Sequence, residues 1–446
     1  MQNDDDIPNA RHRAVPSGRL ARLGGFGRLA GGVAGGMLAE GARRLAAGER
    51  PRVGDLILTP GNAARVADRL SHLRGAAMKL GQMISMDAGD VLPAELQTIL
   101  AQLRNQAYRM PPQQLDGVLR REWGADWRRR FRHFEASPVA AASIGQVHRA
   151  TLPDGRVLAI KVQYPGVAES IGSDVDNVAT LLRVSGLLPA TLDLKPLLEE
   201  AKRQLAEEAD YVREGAQLRA YRERLTGDAR YIVPSLEEAL TTRRVLAMEF
   251  VEGRAIEALA DASQEERDAA MTSLIALVLR ELFEFGVMQT DPNFANYRWR
   301  SETRTLVLLD FGAARDVPAA TSDSYRRLIA AGLARDRDLI REIAVETGFI
   351  GTAAATAHRP AIDRIIAAID DALNRPGPFD FGDRAFVPVV REEAKAIVAD
   401  RATWHVPHVE TLFVQRKVSG TALLAARLKA RVDVRGLAAA AVGYSG

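Results

Sequence analysis

Three oxygen-bearing side chains carry the chemistry open to this sequence. Asp310 begins Asp310-Phe311-Gly312, directly after the apolar run Thr305–Leu309. Asp291 stands nineteen residues upstream, in Thr290-Asp291-Pro292-Asn293-Phe294-Ala295-Asn296, and Asn296 follows it by five. Phosphoryl transfer needs a carboxylate beside the attacking oxygen and oxygen ligands for Mg²⁺. Magnesium is a hard cation, suited by carboxylate and amide oxygens. Asp291 fits the first task. Asn296 and Asp310 fit the second as metal ligands.

Such a set also needs a cation for phosphate. Lys161 closes Ala159-Ile160-Lys161, in a stretch where Val157, Ala159 and Lys161 alternate as on a strand. A strand lysine alone is usually a solvated charge. This one resembles the strand lysine of protein kinases and precedes the acidic motifs in the same order. A carboxylate on the charged segment downstream should hold it, and Glu207, Glu208, Asp210 and Glu214 are all candidates.

The elements that must position these groups are readable in outline. Residues 62–130 predict helix, with Leu73, Ala77, Leu80 and Ile84 on one face. Ala142–Thr151 and Val157–Gln163 predict strands joined by the turn Pro153-Asp154-Gly155. Leu192–Leu225 predicts one long charged helix, on which Asp210 and Glu214 share a face and Glu208 does not. Arg244–Val251 predicts a strand, Glu265–Phe285 a helix, and the chain from Asp323 onward mostly helix. Gly31/Gly35 and Gly32/Gly36 would give a helix one smooth face, fit for close helix approach, dimerisation or a membrane surface, or the segment is a plain linker.

The order Lys161, Asp291, Asn296, Asp310 resembles that of protein kinases, with departures. Ala140-Ala141-Ala142-Ser143-Ile144-Gly145 stands where a Gly-rich loop would be, and Gln289-Thr290 replaces the usual His-Arg. No Ala-Pro-Glu follows Asp310-Phe311-Gly312. The sequence is similar instead to the UbiB/ADCK (AarF-like) family of atypical kinases, in its coenzyme-Q-linked branch. The likeness rests on Lys79-Leu80-Gly81-Gln82 (the KxGQ motif), the Ala-rich loop from Ala140 to Ser143 and Glu208-Ala209-Asp210 (the ExD motif). It rests also on Lys161, Asp291, Asn296, Asp310 and the late segment Leu412-Phe413-Val414-Gln415-Arg416-Lys417, and runs from about Gly24 to Arg431.

The resemblance implies an α+β, two-lobed, protein-kinase-like fold with an N-terminal helical KxGQ extension and an all-helical C-terminal part. The expected division is a flexible arm over 1–22, a Gly-rich helix and the KxGQ extension over 23–130, an N-lobe over 131–253 and a helical C-lobe over 254–446. It implies ATP and Mg²⁺ as cofactors. Lys79 and Gln82 would enter the phosphate pocket and exclude a bulky acceptor, with Lys79 pairing with Glu208 and Asp210 and Lys161 with Glu214. Exchanged partners would suit the sequence equally. Ala140, Ala141, Ala142 and Ser143 would tune nucleotide preference. Met248 would gate the adenine pocket, with Glu249 and Val251 offering backbone hydrogen bonds. The implied role is an ATPase or atypical kinase supporting ubiquinone synthesis, with enzymes of that pathway and lipid or quinone precursors as partners, a homodimer as a possible assembly, and a cytoplasmic position peripheral to the inner membrane. A true kinase acting on a protein or small molecule is one rival; a nucleotide-binding pseudokinase scaffold is another.

Composition narrows the field. The 446 residues are 47% hydrophobic and 26% charged, which excludes a wholly disordered chain. There is no cysteine, so disulfides, thiol nucleophiles and thiolate metal sites are excluded. Lys+Arg 60 against Asp+Glu 57 leaves +3, no signature of a nucleic-acid binder. The seven histidines show no metal-binding spacing beyond His405 and His408. The N-terminus is acidic where a secretory signal is basic. No run reaches the length of a bilayer span without charges.

Overall fold

The computed structural model describes residues 110–184, 195–291, 293–400, 403 and 409–444. The chain forms two compact units. One runs to Ala216 and takes back Leu236–Phe250; the other comprises Gln217–Ser235 and Val251 onward. The Gly-rich segment, Lys79 and Gln82 lie outside the described residues.

In the first unit, α1 (Pro112–Trp123) begins on a proline and buries Leu115, Val118, Leu119 and Trp123. That spacing is one face of a helix, and proline suits a first turn that has no N–H to give. Strands β1 (His133–Phe134), β2 (Ala140–Ala141), β3 (Gly145–Thr151) and β4 (Val157–Gln163) follow. The β3–β4 turn contains Gly155 at φ +91°, a conformation open to glycine. α2 (Val167–Val184) and α3 (Lys195–Glu208) come next, then α4 (Tyr211–Arg224), which belongs to this unit as far as Ala216 and to the second from Gln217. Beyond β5 (Tyr231–Ile232), which belongs to the second unit, β6 (Val245–Glu249) completes the first unit's sheet. The strand order is β1-β3-β4-β6, with β2 also paired to β3. β4 sits inside this sheet, with Lys161 opposite Val147 on one side and Leu246 on the other. Leu158, Ile160 and Val162 point into an apolar core with Trp123, Trp127 and Phe131. Alternation therefore turns Ala159, Lys161 and Gln163 to the opposite face.

Several sequence expectations are corrected here. The single helix over Leu192–Leu225 is two helices, broken at Ala209-Asp210. Asp210 accepts from the N–H groups of Val212 (3.1 Å) and Arg213 (3.0 Å), so it caps α4 instead of sharing a helical face with Glu214. Aspartate is among the best N-caps because its oxygen satisfies amides that the first turn leaves open. The strand over Ala142–Thr151 begins only at Gly145, and Ala140–Ala141 is itself a short strand. The strand over Arg244–Val251 is confined to Val245–Glu249.

The second unit continues with β7 (Arg254–Ala255), α5 (Gln264–Arg280), β8 (Val287–Gln289), β9 (Tyr297–Arg300), β10 (Thr305–Leu308) and β11 (Ala314–Asp316). The helix over Glu265–Phe285 ends in a π-turn at Glu281–Phe285. β5, β10, β9 and β7 form one sheet in that order, and β8 pairs with β11. Helices then dominate: α6 (Ala319–Leu333), α7 (Arg337–Glu346), α8 (Thr352–Ala357), α9 (Arg359–Leu373), α10 (Val387–Ala399), α11 (Val409–Leu428) and α12 (Val434–Val442). Within this otherwise helical part, Phe379–Asp380 pairs with Arg431–Val432. A core of Val278, Leu282, Met288, Tyr325 and Val414 ties α5, β8, α6 and α11 together.

Candidate active site

In the first unit the polar face of β4 carries Lys161. Its ammonium donates to both oxygens of Glu214, at 2.9 and 3.0 Å. The lysine side chain is 10% exposed and the glutamate 1%. The ammonium also lies 5.1 Å from the ring centre of Tyr211, a second source of negative potential. Of the four carboxylates that the sequence offered, the pair uses Glu214, which the first turn of α4 brings to the sheet. Glu208 is engaged elsewhere, accepting from the Ser143 hydroxyl at 2.8 Å. That bond links the end of the Ala-rich segment to the end of α3. Ala140 and Ala141 are exposed and paired with Val147 and Gln146, so this segment is a short hairpin arm. Met248 is buried opposite Ala159, and Glu249 is exposed opposite Leu158. Val251 is buried and belongs to the second unit.

In the second unit two small ladders bring the acidic motifs together. β9 and β10 pair from Leu308↔Tyr297, and beyond the last pair Leu309 donates to the Asn296 carbonyl at 3.0 Å. Asn296 and Asp310 therefore leave the same end of one hairpin. β8 and β11 pair from Gln289↔Ala314, and Thr290 then binds the Ala313 carbonyl through its amide (3.2 Å) and its hydroxyl (2.9 Å). Asp291 and Gly312 thus flank a second ladder end. The Asn296 amide donates to Asp291 at 3.3 Å, and Asp310 accepts from the Gly312 amide at 3.0 Å. Asn293 caps the short turn Phe294–Asn296 by accepting from Ala295 at 3.1 Å.

This donor set suits Mg²⁺: a carboxylate and a side-chain amide on residues that leave one hairpin end, with a second carboxylate hydrogen-bonded to that amide. No group of three or more His, Cys, Asp or Glu fit to hold a metal occurs among the described residues. Magnesium bound with nucleotide needs none, since phosphates and water complete its shell.

Behind these loops lies a buried polar network in the second unit. Lys417 of α11 is 1% exposed and Glu281, at the start of the π-turn, is 0% exposed, with 3.4 Å between their charged atoms. Lys417 donates to the Tyr297 hydroxyl at 2.7 Å and to the Gln289 side-chain oxygen at 3.3 Å. Glu281 accepts from the Tyr221 hydroxyl (2.9 Å) and the Gln289 backbone N–H (3.2 Å). Burial pushes the Glu281 carboxyl up from its ordinary value, with Lys417 pulling against it. Burial also works against charge on Lys417, but Glu281 and Tyr297 beside it hold its pKa above the ordinary value. In the sequence Lys417 stands only as part of the late motif, and Glu281 lies in no motif. A signal was available. Glu281 extends the buried positions Leu274, Leu277 and Val278, and Lys417 stands between Val414 and Leu424, so each charge sits on an apolar helix face.

Residues 102–344 match the ABC1 atypical kinase-like domain. The chain belongs to this family, that of the UbiB/ADCK atypical kinases. It is 38% identical over 432 residues to a zebrafish (Danio rerio) protein named atypical kinase COQ8B, mitochondrial, covering 96% of this chain and 69% of that one. It is 36% identical over 427 residues to atypical kinase COQ8, mitochondrial, of Saccharomyces cerevisiae, covering 94% of this chain and 84% of that one. Among solved structures it is similar to Rv3197 of Mycobacterium tuberculosis, described in complex with erythromycin, at TM-score 0.61 and 24% identity over 84% of this chain and 95% of that one. That likeness concerns the fold, which is α+β and kinase-like. The atypical kinase-like domain takes in both the Lys161–Glu214 pair and the Asp291/Asn296/Asp310 loops. The Lys417 end of the buried network lies beyond it.

Proposed function

We propose that the protein binds ATP with Mg²⁺ and hydrolyses it, or transfers its terminal phosphoryl group to a restricted acceptor. Lys161, oriented by Glu214, holds phosphate oxygens. Asn296 and Asp310 hold the metal. Asp291 orients the attacking oxygen and takes its proton. Lys79 and Gln82 keep a bulky acceptor out, and Ala140 to Ser143 tune the choice of nucleotide. Met248, Glu249 and Val251 serve the adenine. Bound Mg²⁺ supplies charge neutralisation for the phosphates.

The observation that carries this reading is the buried Lys161–Glu214 pair at 2.9 Å. An ammonium is costly to bury, and a chain that does so and also carries acidic side chains suited to Mg²⁺ has the parts phosphate chemistry uses. The family relationship extends the proposal to support of ubiquinone synthesis at a membrane surface. No helix among the described residues is long and apolar enough to cross a membrane. The test is Mg²⁺-dependent phosphate release from ATP by purified protein on quinone-containing liposomes, beside Asp310→Asn. Release that liposomes stimulate and the variant loses supports the proposal. Release that survives Asp310→Asn refutes the assigned metal role. Tight binding with no release or labelled product moves the reading to a nucleotide-binding scaffold.

A further inference from the structure

The second unit buries an ammonium and a carboxylate that take no direct part in the proposed chemistry. Lys417 and Glu281 are costly to desolvate, and well-packed apolar residues often serve stability better than such a pair. What distinguishes this pair is where its hydrogen bonds end. Gln289, reached by both charges, lies two residues before Asp291. Tyr297, reached by Lys417, is the residue after Asn296. Tyr221, held by Glu281, packs its ring 4.8 Å from Phe311, the residue after Asp310. One ion pair is thus tied within two residues of each of the three acidic-motif side chains. Glu281 also opens a π-turn, an irregular winding often kept where a helix must aim a functional group.

We propose that Lys417, paired with Glu281, is a positioning residue that sets the relative geometry of Asp291, Asn296 and Asp310 for metal-bound nucleotide. This rests on the Mg²⁺–nucleotide reading above. The ammonium fixes Gln289 and Tyr297 at one separation, and so fixes the two ends of the segment that carries Asp291 and Asn296. The carboxylate fixes Tyr221 against Phe311, beside Asp310. Outer groups of this kind orient metal-binding side chains without touching the metal. The reach of α11 to this point gives that helix a direct hold on the loop.

The test is ADP binding to the full chain by calorimetry, in EDTA and in excess MgCl₂. The reading is the ratio of the two dissociation constants. Lys417→Met is expected to lower that ratio about ten-fold or more, the usual scale for loss of an outer-shell group, with affinity in EDTA unchanged. The double variant Lys417→Met/Glu281→Gln removes both charges and is expected to regain thermal stability without regaining the ratio. A double variant with both restored overturns the proposal, because the pair would then be structural alone. If Lys417→Met does not fold, Tyr297→Phe carries the test. It removes one hydrogen bond of the ammonium and is expected to lower the ratio about five-fold. An undiminished ratio in Tyr297→Phe overturns the proposal. A native protein whose ADP affinity ignores Mg²⁺ overturns the underlying functional reading as well, and so separates the two failures.

Discussion

Lys161 donates to both oxygens of Glu214, and the contact joins the middle strand of the first unit's sheet to the first turn of α4. Asp210, the cap of that turn, sets where α4 starts and hence where Glu214 points. A lysine held in this way by both oxygens of one buried carboxylate has a fixed position.

The pair should therefore show non-additive energetics. Glu214→Gln leaves a mostly buried ammonium facing a neutral amide and is expected to cost about 3–5 kcal/mol of stability. Lys161→Met strands the carboxylate and should cost a similar amount. The double variant should cost less than either single change, because no uncompensated charge remains. Urea unfolding followed by tryptophan emission reads all three, and strictly additive losses would remove the pair from the account.

Asp291→Asn separates chemistry from binding. The amide keeps the size of the carboxylate and its acceptor oxygen, which receives the Asn293 amide at 3.2 Å. Binding of ATP and Mg²⁺ should persist, while turnover falls by about 10²–10⁴-fold, the scale of a lost general base. Equal loss of binding and turnover would instead make Asp291 a ligand.

The sequence makes some of this plain and conceals the rest for identifiable reasons. β4 is legible to its ends, Val157 and Gln163, because hairpin turn and alternation agree. The acidic motifs are legible because their spacing is short and their elements local. The break between α3 and α4 is not, because one capping aspartate overrides a run of good helix formers. The network around Lys417 is hidden for a different reason. Its members come from α4, the end of α5, β8, β9 and α11, and only the fold brings them together. The choice of Glu214 from four nearby acids likewise waits on the cap at Asp210.

Gly145 marks a close approach that a side chain would fill. A Cβ there would meet the Val162 carbonyl oxygen at 2.3 Å and the Tyr211 hydroxyl at 3.1 Å. Both contacts are near Lys161, on the neighbouring strand and over the same ring. Gly145→Ala should push β3 from β4 and cost roughly 1–3 kcal/mol, the range for overpacking. It should also weaken nucleotide binding, since Lys161 moves with β4. A thermal midpoint and nucleotide affinity equal to those of the native chain would show that the strands part freely.

His148 makes the first unit sensitive to acid. It is fully buried on β3 and stacks on Phe134, with ring centres 5.4 Å apart. Its Nδ1 lies 2.8 Å from the Glu135 carbonyl oxygen, which only accepts, so Nδ1 carries the proton. Nε2, 2.8 Å from the Gln146 side-chain nitrogen, then accepts from that amide. A second proton would set two donors against each other in a dry site. Burial accordingly lowers its pKa to about 4 from 6.5. The unfolded chain thus binds the extra proton more readily than the folded one between these values. Stability is full above pH 6.5, falls as pH drops towards 4, and levels below it, for a total of roughly 3 kcal/mol. At pH 5 the expected loss is about 2 kcal/mol relative to neutral pH. Other groups titrate in the same range, so the reading is the difference between the native chain and His148→Gln. Urea unfolding at a series of pH values should give a steeper fall for the native chain, and parallel profiles would mean that His148 stays equally neutral, or equally charged, in both states.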